Sequence, residues 1–300
     1  MKQYVCALLD QLALSDEGYT VLRDAAERLF AHDPTVLEAA VDTYYTNDFA
    51  NQPVYDILMP IADALHITKE AVNLLVVAAA AQRMQNTYRE RGYDEALFTD
   101  FLKDLRCKIG ECYRWYGIWG LTKITYWYPL FFKMKIFALG RLQYELYQRP
   151  NQTDAVTVGG YTIAPDEPVF YIHIPGIGPL TEELRFDSYR RAYEFFKNDH
   201  DGRPFVCYCG SWLLYERNRE FLKPTSNIVG FMNDFKIVKS FEVPEQKYWW
   251  VFDMPYEGDA SVLPRDTSVR RGLADWLAAG GIPGGGDGYF LFDGERIIND

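Results

Sequence analysis

One histidine lies where a strand-like segment meets a turn that contains glycine. In the segment 170–174, alternation places Tyr171 and His173 on the same face. An imidazole can accept a proton near neutral pH, and the end of a strand would present His173 beside the turn. This placement makes His173 a candidate general base. The alternative is a structural histidine that is hydrogen-bonded within the fold.

The turn after this histidine could bind an anion. Gly176 and Gly178 precede Thr181, which is placed to cap a helix. Backbone N–H groups at such a turn and at a helix N-terminus bind phosphate groups, for example a pyrophosphate. Gly176, Gly178 and Thr181 are therefore candidate cofactor-binding residues. The alternative is a turn that needs glycine only for its conformation.

The cysteines predict neither a metal site nor an activated nucleophile. Cys207 and Cys209 lie too close together for a paired zinc motif, and Cys107 and Cys112 point apart on a helix. No basic neighbour lowers the pKa of Cys209. We therefore expect no metal. The odd number of scattered cysteines favours reduced thiols and a cytoplasmic protein.

The composition is that of a folded chain with one large or two medium domains. Of its 300 residues, 48% are hydrophobic and 16% aromatic, and disordered segments are poor in aromatics. The net charge of −11 argues against nucleic acid as a partner, because phosphate contacts need clustered Lys and Arg. Lysines interrupt the most apolar segment, 115–139, so no membrane partner is expected. The N-terminus predicts no signal peptide.

The elements that position these residues divide the chain near residue 150. The first part predicts helices, among them an almost wholly apolar one capped by Thr68 and a second capped by Asp94. The helical pattern continues to Tyr147. A polar, proline-bearing stretch at 149–154 then predicts a boundary between a helical domain (1–150) and a second domain (151–300).

The second domain predicts a mixed sheet with flanking helices. Its expected strands and turns are a hairpin at 156–163, strands at 169–174, 205–209, 237–243 and 248–254, a glycine loop at 284–288 and a terminal hairpin. Its expected helices lie at 181–196, from Trp212, at 227–235 and at 267–279. The fold class is therefore α+β, an all-helical N-terminal domain followed by a mixed β-sheet domain.

Several segments of the second half, taken in order, resemble a known family. They are Tyr171–Pro175 with Gly178–Leu180, Cys209–Leu214, Ser226–Ile228 with Phe231 and Phe235, and the glycine-rich approach to the last strand. They are similar to bacterial two-domain acyltransferases, which join a helical N-acyltransferase-type N-terminal domain to a GNAT-like C-terminal domain. The helical first half agrees with this family in length and type.

The resemblance implies an N-acyltransferase that moves an acyl group from acetyl-CoA or another acyl-CoA to a small-molecule amine or a peptide. It implies His173 as the base, and Ser211 or Tyr215 as the proton donor to the leaving thiolate. The sequence departs from the family at two places. Gly210 stands where the family has a polar residue, often histidine, and the Arg/Gln-x-x-Gly-x-Gly/Ala pyrophosphate loop of GNAT enzymes is absent.

Two other functions compete with this one. The absent loop favours a non-catalytic binding or regulatory protein with a degenerate GNAT-like domain, in which the helical domain would contact a protein partner. A hydrolase that uses Ser211 or Cys209 would need a Gly-x-Ser-x-Gly elbow, which the sequence lacks. No pattern in the sequence indicates a particular oligomeric state.

Overall fold

A computed structural model of the protein describes residues 1–148, 154–200 and 203–299. The chain divides into two units, Met1–Phe137 and Ala138–Asp300. The first unit is helical and the second contains a mixed sheet, so the predicted fold class is confirmed. The division precedes the predicted boundary at residue 150. Of the predicted linker at 149–154, only Asp154 lies among the described residues.

The first unit is a bundle around one central helix. Its helices are α1 (Lys2–Gln11), α2 (Asp16–His32), α3 (Val36–Thr46), α4 (Asn51–Ala64), α5 (Lys69–Glu90), α6 (Glu95–Tyr116) and α7 (Trp127–Phe132). In α5 every residue from 71 to 81 is buried, as expected for a helix that is apolar all round. The caps by Thr68 and Asp94 are confirmed, since each side chain accepts a backbone N–H of its helix. No helix among the described residues is both long enough and apolar enough to cross a bilayer.

The predicted helical pattern is wrong beyond α7. The chain there forms the strands β1 (Ile136–Leu139) and β2 (Leu142–Gln148). The backbone of β2 pairs with a strand that begins at Pro168. Such pairing depends on a partner distant in sequence, so the spacing of apolar side chains within 136–148 does not reveal it.

The second unit is built on six strands in the order β1-β2-β5-β6-β8-β7. The remaining strands are β3 (Val156–Val158), β4 (Tyr161–Ile163), β5 (Pro168–His173), β6 (Phe205–Ser211), β7 (Lys236–Glu242) and β8 (Gly284–Phe292). β3 and β4 form the predicted hairpin outside this sheet. β5 and β6 are parallel, and α8 (Glu182–Phe195) connects them. Thr181 caps α8 as predicted, by accepting the N–H of Leu184.

Different elements pack on the two faces of the sheet. On one, which we call the helix face, Phe170 packs on Phe196 and Phe290 packs on Tyr189 of α8. On the other, which we call the open face, the hairpin β3–β4 packs on one part of the sheet. That part is formed by Val169, Val206, Tyr289 and Leu291. The rest of the open face carries polar side chains.

Two further predictions for the second unit are wrong. The predicted strand at 248–254 is the short helix α10 (Trp249–Phe252). It shares a buried cluster with α11 (Ser268–Ala278), whose start at Thr267 is as predicted. The predicted glycine loop at 284–288 is the first part of β8. The predicted helix at 227–235 is confirmed as α9 (Asn227–Asn233).

The glycines of β8 allow other backbone to lie directly on the strand. A Cβ at Gly286 would collide with the carbonyl group of Leu214, and one at Gly284 with the ring of Tyr215. Leu214 and Tyr215 belong to the chain that leaves β6 and crosses the helix face. Glycine is therefore required by close approach at these positions and not by a turn.

β7 lies at an edge of the sheet and is largely exposed. Its pairing with β8 is interrupted by a bulge between Ile237 and Lys239. Both Lys236 and Lys239 are exposed on this strand.

We expect Gly286→Ala to lower the free energy of unfolding by about 2 kcal/mol, because the added methyl group meets backbone that cannot move aside. The matched control is Gly285→Ala in the same strand. Its Cβ would lie 3.3 Å from the end of the Phe241 ring, which can shift. Urea unfolding of both variants measures the difference. Equal stabilities would contradict the close-approach explanation.

Candidate active site

The two parallel strands end at the same edge of the sheet. Their pairing joins Phe170 to Cys207 and Tyr171 to Tyr208, after which β5 continues to His173 and β6 to Ser211. In open sheets, ligands bind at the carboxyl ends of adjacent parallel strands. The candidate site therefore lies around the last residues of β5 and β6.

The strand register aligns two rows of side chains across the open face. One row, which we call the tyrosine row, consists of Glu145, Tyr171, Tyr208 and Tyr289, each opposite the next on the neighbouring strand. Its rings are in contact, with centroids 5.1 Å apart for Tyr171 and Tyr208 and 4.9 Å apart for Tyr208 and Tyr289. The row therefore extends over four strands.

The second row lies nearer the strand ends, and we call it the polar row. It consists of Gln143, His173, Gly210 and Asp287, where Gln143 pairs with His173 and Gly210 pairs with Asp287. Alternation along each strand puts both rows on the open face, two residues apart. Alternation in the sequence predicts a shared face for Tyr171 and His173 only.

His173 is held by a carboxylate of the tyrosine row. Its Nε2 lies 3.3 Å from Oε2 of Glu145, and the two side chains are 20% and 18% exposed. The imidazole also packs on the ring of Tyr171, with centroids 4.3 Å apart. A carboxylate in this position orients an imidazole and stabilises its protonated form, as a general base requires.

A second hydrogen-bonded pair lies over Gly210. The hydroxyl of Tyr208 donates to Oδ1 of Asp287 at 2.9 Å. A Cβ at Gly210 would lie 2.8 Å from this hydroxyl and 3.0 Å from Oδ1 of Asp287. Burial, and then the charge of Asp287, raise the pKa of Tyr208 well above its usual value. The pair thus fills the space that a side chain at position 210, such as the family's polar residue, would occupy.

Two buried arginines hold the carbonyl groups of the predicted anion-binding turn. Arg141 donates to the carbonyls of Pro175 at 2.8 Å, Gly178 at 2.9 Å and Pro179 at 2.9 Å. Arg185 donates to the carbonyl of Leu180 at 2.7 Å. Four carbonyl groups of the turn are thereby bound by arginine side chains.

These bonds orient backbone N–H groups of the turn away from the two arginines. In a trans peptide the carbonyl and the following N–H point in opposite directions. The N–H groups of Gly176, Leu180 and Thr181 therefore point away from the arginines. Gly178 has φ +132°, which a residue with a side chain rarely adopts. The hydroxyl of Thr181 caps α8, so Thr181 would bind an anion through its backbone N–H group.

A buried ion pair fixes the start of α8. Arg185 is 3% exposed, and its Nε lies 2.6 Å from Oδ2 of Asp234 at the end of α9. The hydroxyl of Tyr189 donates to the same oxygen at 2.8 Å. Burial raises the pKa of Asp234 even beside the arginine, so this carboxylate depends on its partners to remain charged. The turn is therefore tied to α9 through Arg185.

The other two predicted catalytic residues lie on the helix face. The hydroxyl of Ser211 accepts the N–H of Leu213 at 3.2 Å, where it caps a short turn of helix. Tyr215 is 2% exposed, and its ring lies against Gly284. The structure brings neither residue next to His173, because alternation in β6 and β8 separates the two faces.

The buried thiols also lie on the helix face. Cys207 and Cys209 have no exposed surface, and burial raises the pKa of both well above its usual value. These thiols are therefore poor nucleophiles. The described residues contain no group of three His, Cys, Asp or Glu side chains that could hold a metal ion.

Sequence reasoning missed Glu145, Tyr208, Asp287 and Arg141. Glu145 and Arg141 lie in a segment that has a helical pattern, and Asp287 lies among glycines that suggested a loop. Alternation along β6 puts Tyr208 and Gly210 on the same face. This signal in the sequence identifies Tyr208 as a neighbour of Tyr171 only when the pairing of β5 with β6 is also known.

Family models match both parts of the chain. The family model for the GNAT-like C-terminal domain matches residues 136–290, and that for the N-acyltransferase N-terminal domain matches residues 5–134. A search of curated proteins finds no match.

The chain is also similar in fold to solved acyltransferase structures. One, an acyltransferase in complex with decanoyl-CoA and teicoplanin, has a TM-score of 0.70 at 21% identity over 95% of this chain and 86% of that chain. Another, in complex with decanoyl-CoA, has a TM-score of 0.61 at 21% identity over 95% and 98%.

The resemblance seen in the sequence is thus confirmed. Since the GNAT-like model alone spans more than half of the chain, the protein belongs to the family that joins an N-acyltransferase N-terminal domain to a GNAT-like C-terminal domain.

Proposed function

We propose that the protein is an acyl-CoA-dependent N-acyltransferase that transfers an acyl group to an amine. The observation that carries this proposal is the turn at 175–181, whose outward N–H groups follow directly after His173 at the end of the parallel strands. A phosphate site and a base are thereby adjacent. The acyltransferases of similar fold are complexes with decanoyl-CoA or CoA, which supports acyl-CoA as the donor.

The turn fits the pyrophosphate of CoA without the usual basic loop pattern. Its N–H groups supply hydrogen bonds, and the N-terminus of α8 adds a favourable dipole. Arg141 places positive charge behind the turn, whereas the charge of Arg185 is paired with Asp234. The charge that the loop sequence lacks is in this way supplied from elsewhere in the second unit.

His173 of the polar row and Glu145 of the tyrosine row fit the transfer step. The amine nitrogen attacks the thioester carbonyl carbon, the new C–N bond forms and the C–S bond breaks. His173 accepts the proton that the nitrogen loses and returns it to the departing thiolate, which leaves as CoA. Glu145 stabilises the imidazolium between these two events. Positioning of the two substrates supplies most of the remaining acceleration.

The experiment that tests this function is calorimetric titration of the folded protein with acetyl-CoA and decanoyl-CoA, followed by detection of free CoA in the presence of simple amines. We expect binding at about micromolar Kd and release of CoA that depends on the amine. Binding of acyl-CoA without release of free CoA would favour a binding or regulatory protein. An absence of heat with either compound would remove acyl-CoA as the donor.

We expect His173→Ala to lower kcat by about a hundredfold or more, with little change in the Kd of the acyl-CoA, because only proton transfer is lost. Glu145→Gln should lower kcat less, since the imidazole keeps a hydrogen-bonding neighbour. Steady-state release of CoA measures both. The control is His32→Ala, an exposed histidine of α2. A His173→Ala enzyme with the kcat of the unaltered protein would exclude this base.

We expect Arg141→Lys to raise the Kd of CoA about tenfold, because one ammonium cannot replace three directed bonds to the turn. The matched control is Arg191→Lys, at an exposed arginine of α8 that pairs with Asp187. Calorimetry gives the Kd, and thermal unfolding shows whether each variant is folded. An unchanged Kd in a folded Arg141→Lys protein would contradict this role of the turn.

A further inference from the structure

The open face carries a second carboxylate that the proposed transfer step does not use. Asp287 lies in the polar row, on the far side of Gly210 from His173, and is partly exposed. It accepts the hydroxyl of Tyr208 through Oδ1. Within the described part of the chain Asp287 has no ion-pair partner. Lys239 lies opposite it on β7, but the ammonium of Lys239 lies over the ring of Phe241, 5.3 Å from its centroid.

Three aromatic rings in mutual contact lie on the same face as this carboxylate, and one of them belongs to Tyr208, which is hydrogen-bonded to it. Tyr147, Tyr171 and Tyr208, which we call the tyrosine triad, form a triangle with centroids 5.2, 5.1 and 6.3 Å apart. All three are partly exposed. After burial, the negative charges of Glu145 and Asp287 are among the causes that raise the pKa of Tyr147 and of Tyr171. The triad therefore lies in the field of two carboxylates.

A buried amide next to His173 has no hydrogen-bonding partner in the described chain. Gln143 is 1% exposed, yet neither its Nε2 nor its Oε1 has a partner there. It lies on the open face, directly opposite His173 and two residues before Glu145. An unsatisfied buried amide is costly, and a polar group of a ligand beside His173 would remove that cost.

We propose that this part of the open face binds the acyl acceptor, and that the acceptor is a cationic primary amine. The carboxylate of Asp287 accepts hydrogen bonds from the ammonium, and Tyr147 and Tyr171 present ring faces to the charge. Tyr208 is a positioning residue, since it acts by holding Asp287. The inference rests on the proposed function, because it names the acceptor of that reaction.

The proposal accounts for the two protons that a primary ammonium loses when it becomes an amide, which keeps the third. The bound ammonium first gives one proton through His173 to solvent, which leaves a neutral nitrogen that can attack. The second proton leaves the nitrogen after attack and goes to the thiolate through His173. Asp287 keeps its charge throughout and serves only to bind.

The same charges predict which amines are poor acceptors. A carboxylate next to the amine, as in glycine, would lie near Glu145 and Asp287 and be repelled. Butylamine and putrescine lack such a group. We therefore expect both to be better acceptors than glycine.

The test uses the full chain and measures binding before turnover. Butylammonium chloride is titrated into the protein while the ultraviolet difference spectrum of tyrosine is recorded, with tetramethylammonium as a cation that cannot be acylated. We expect a saturable change that Asp287→Asn weakens about tenfold or more and Tyr208→Phe weakens less. The matched control is Asp187→Asn, at an exposed carboxylate of α8 that should change nothing.

Measurements of turnover then distinguish the proposed acceptor site from the proposed acyltransferase function. With decanoyl-CoA as donor, we expect Asp287→Asn to raise the KM for butylamine about tenfold and to leave the Kd of decanoyl-CoA unchanged. The preference for butylamine over glycine as acceptor should become smaller. Equal cation binding and equal KM in a folded Asp287→Asn protein would overturn the acceptor site and leave the acyltransferase standing. Failure of the unaltered protein to bind acyl-CoA would instead overturn the proposed function itself.

Discussion

The candidate site depends on the parallel pairing of β5 with β6. Because the two strands run in the same direction, their carboxyl ends meet, and the residues that follow β5 form a turn at that edge. The same pairing places Tyr171 beside Tyr208 and thereby joins the side chains of β2 and β5 to those of β6 and β8. An antiparallel pair in this place would separate His173 from Gly210 by the length of the sheet.

The second unit carries charges of opposite sign on different sides of the candidate site. Behind the turn lie the guanidinium group of Arg141 and that of Arg185, whose charge is paired with Asp234, and on the open face lie the carboxylates of Glu145 and Asp287. His173 contacts Glu145 on the open face and precedes the turn by two residues. A donor rich in phosphate and an acceptor with a positive charge would each be attracted to a different side of the candidate site. The buried pair of Arg185 and Asp234 holds the first region in place, so the separation is a property of the folded unit.

Signals within a few residues were enough to predict much of the fold. Thr68, Asp94 and Thr181 were recognised as helix caps because capping involves only the next few N–H groups. The strand β2 was not recognised, because its conformation depends on pairing with β5. Asp287 could not be assigned to the site from sequence, since the residue it contacts, Tyr208, is 79 positions away. Its glycine neighbours suggested a loop, whereas they serve the close approach of Leu214 and Tyr215.

The edge strand β7 bears on the solubility of the protein. An exposed edge offers unpaired N–H and C=O groups to any other strand, including the same strand of a second molecule. The bulge after Ile237 breaks the regular spacing that such pairing needs, and an added strand would have to accommodate the charges of Lys236 and Lys239. A sheet with this edge resists continuous growth from one molecule to the next, although its two faces are rich in aromatic side chains.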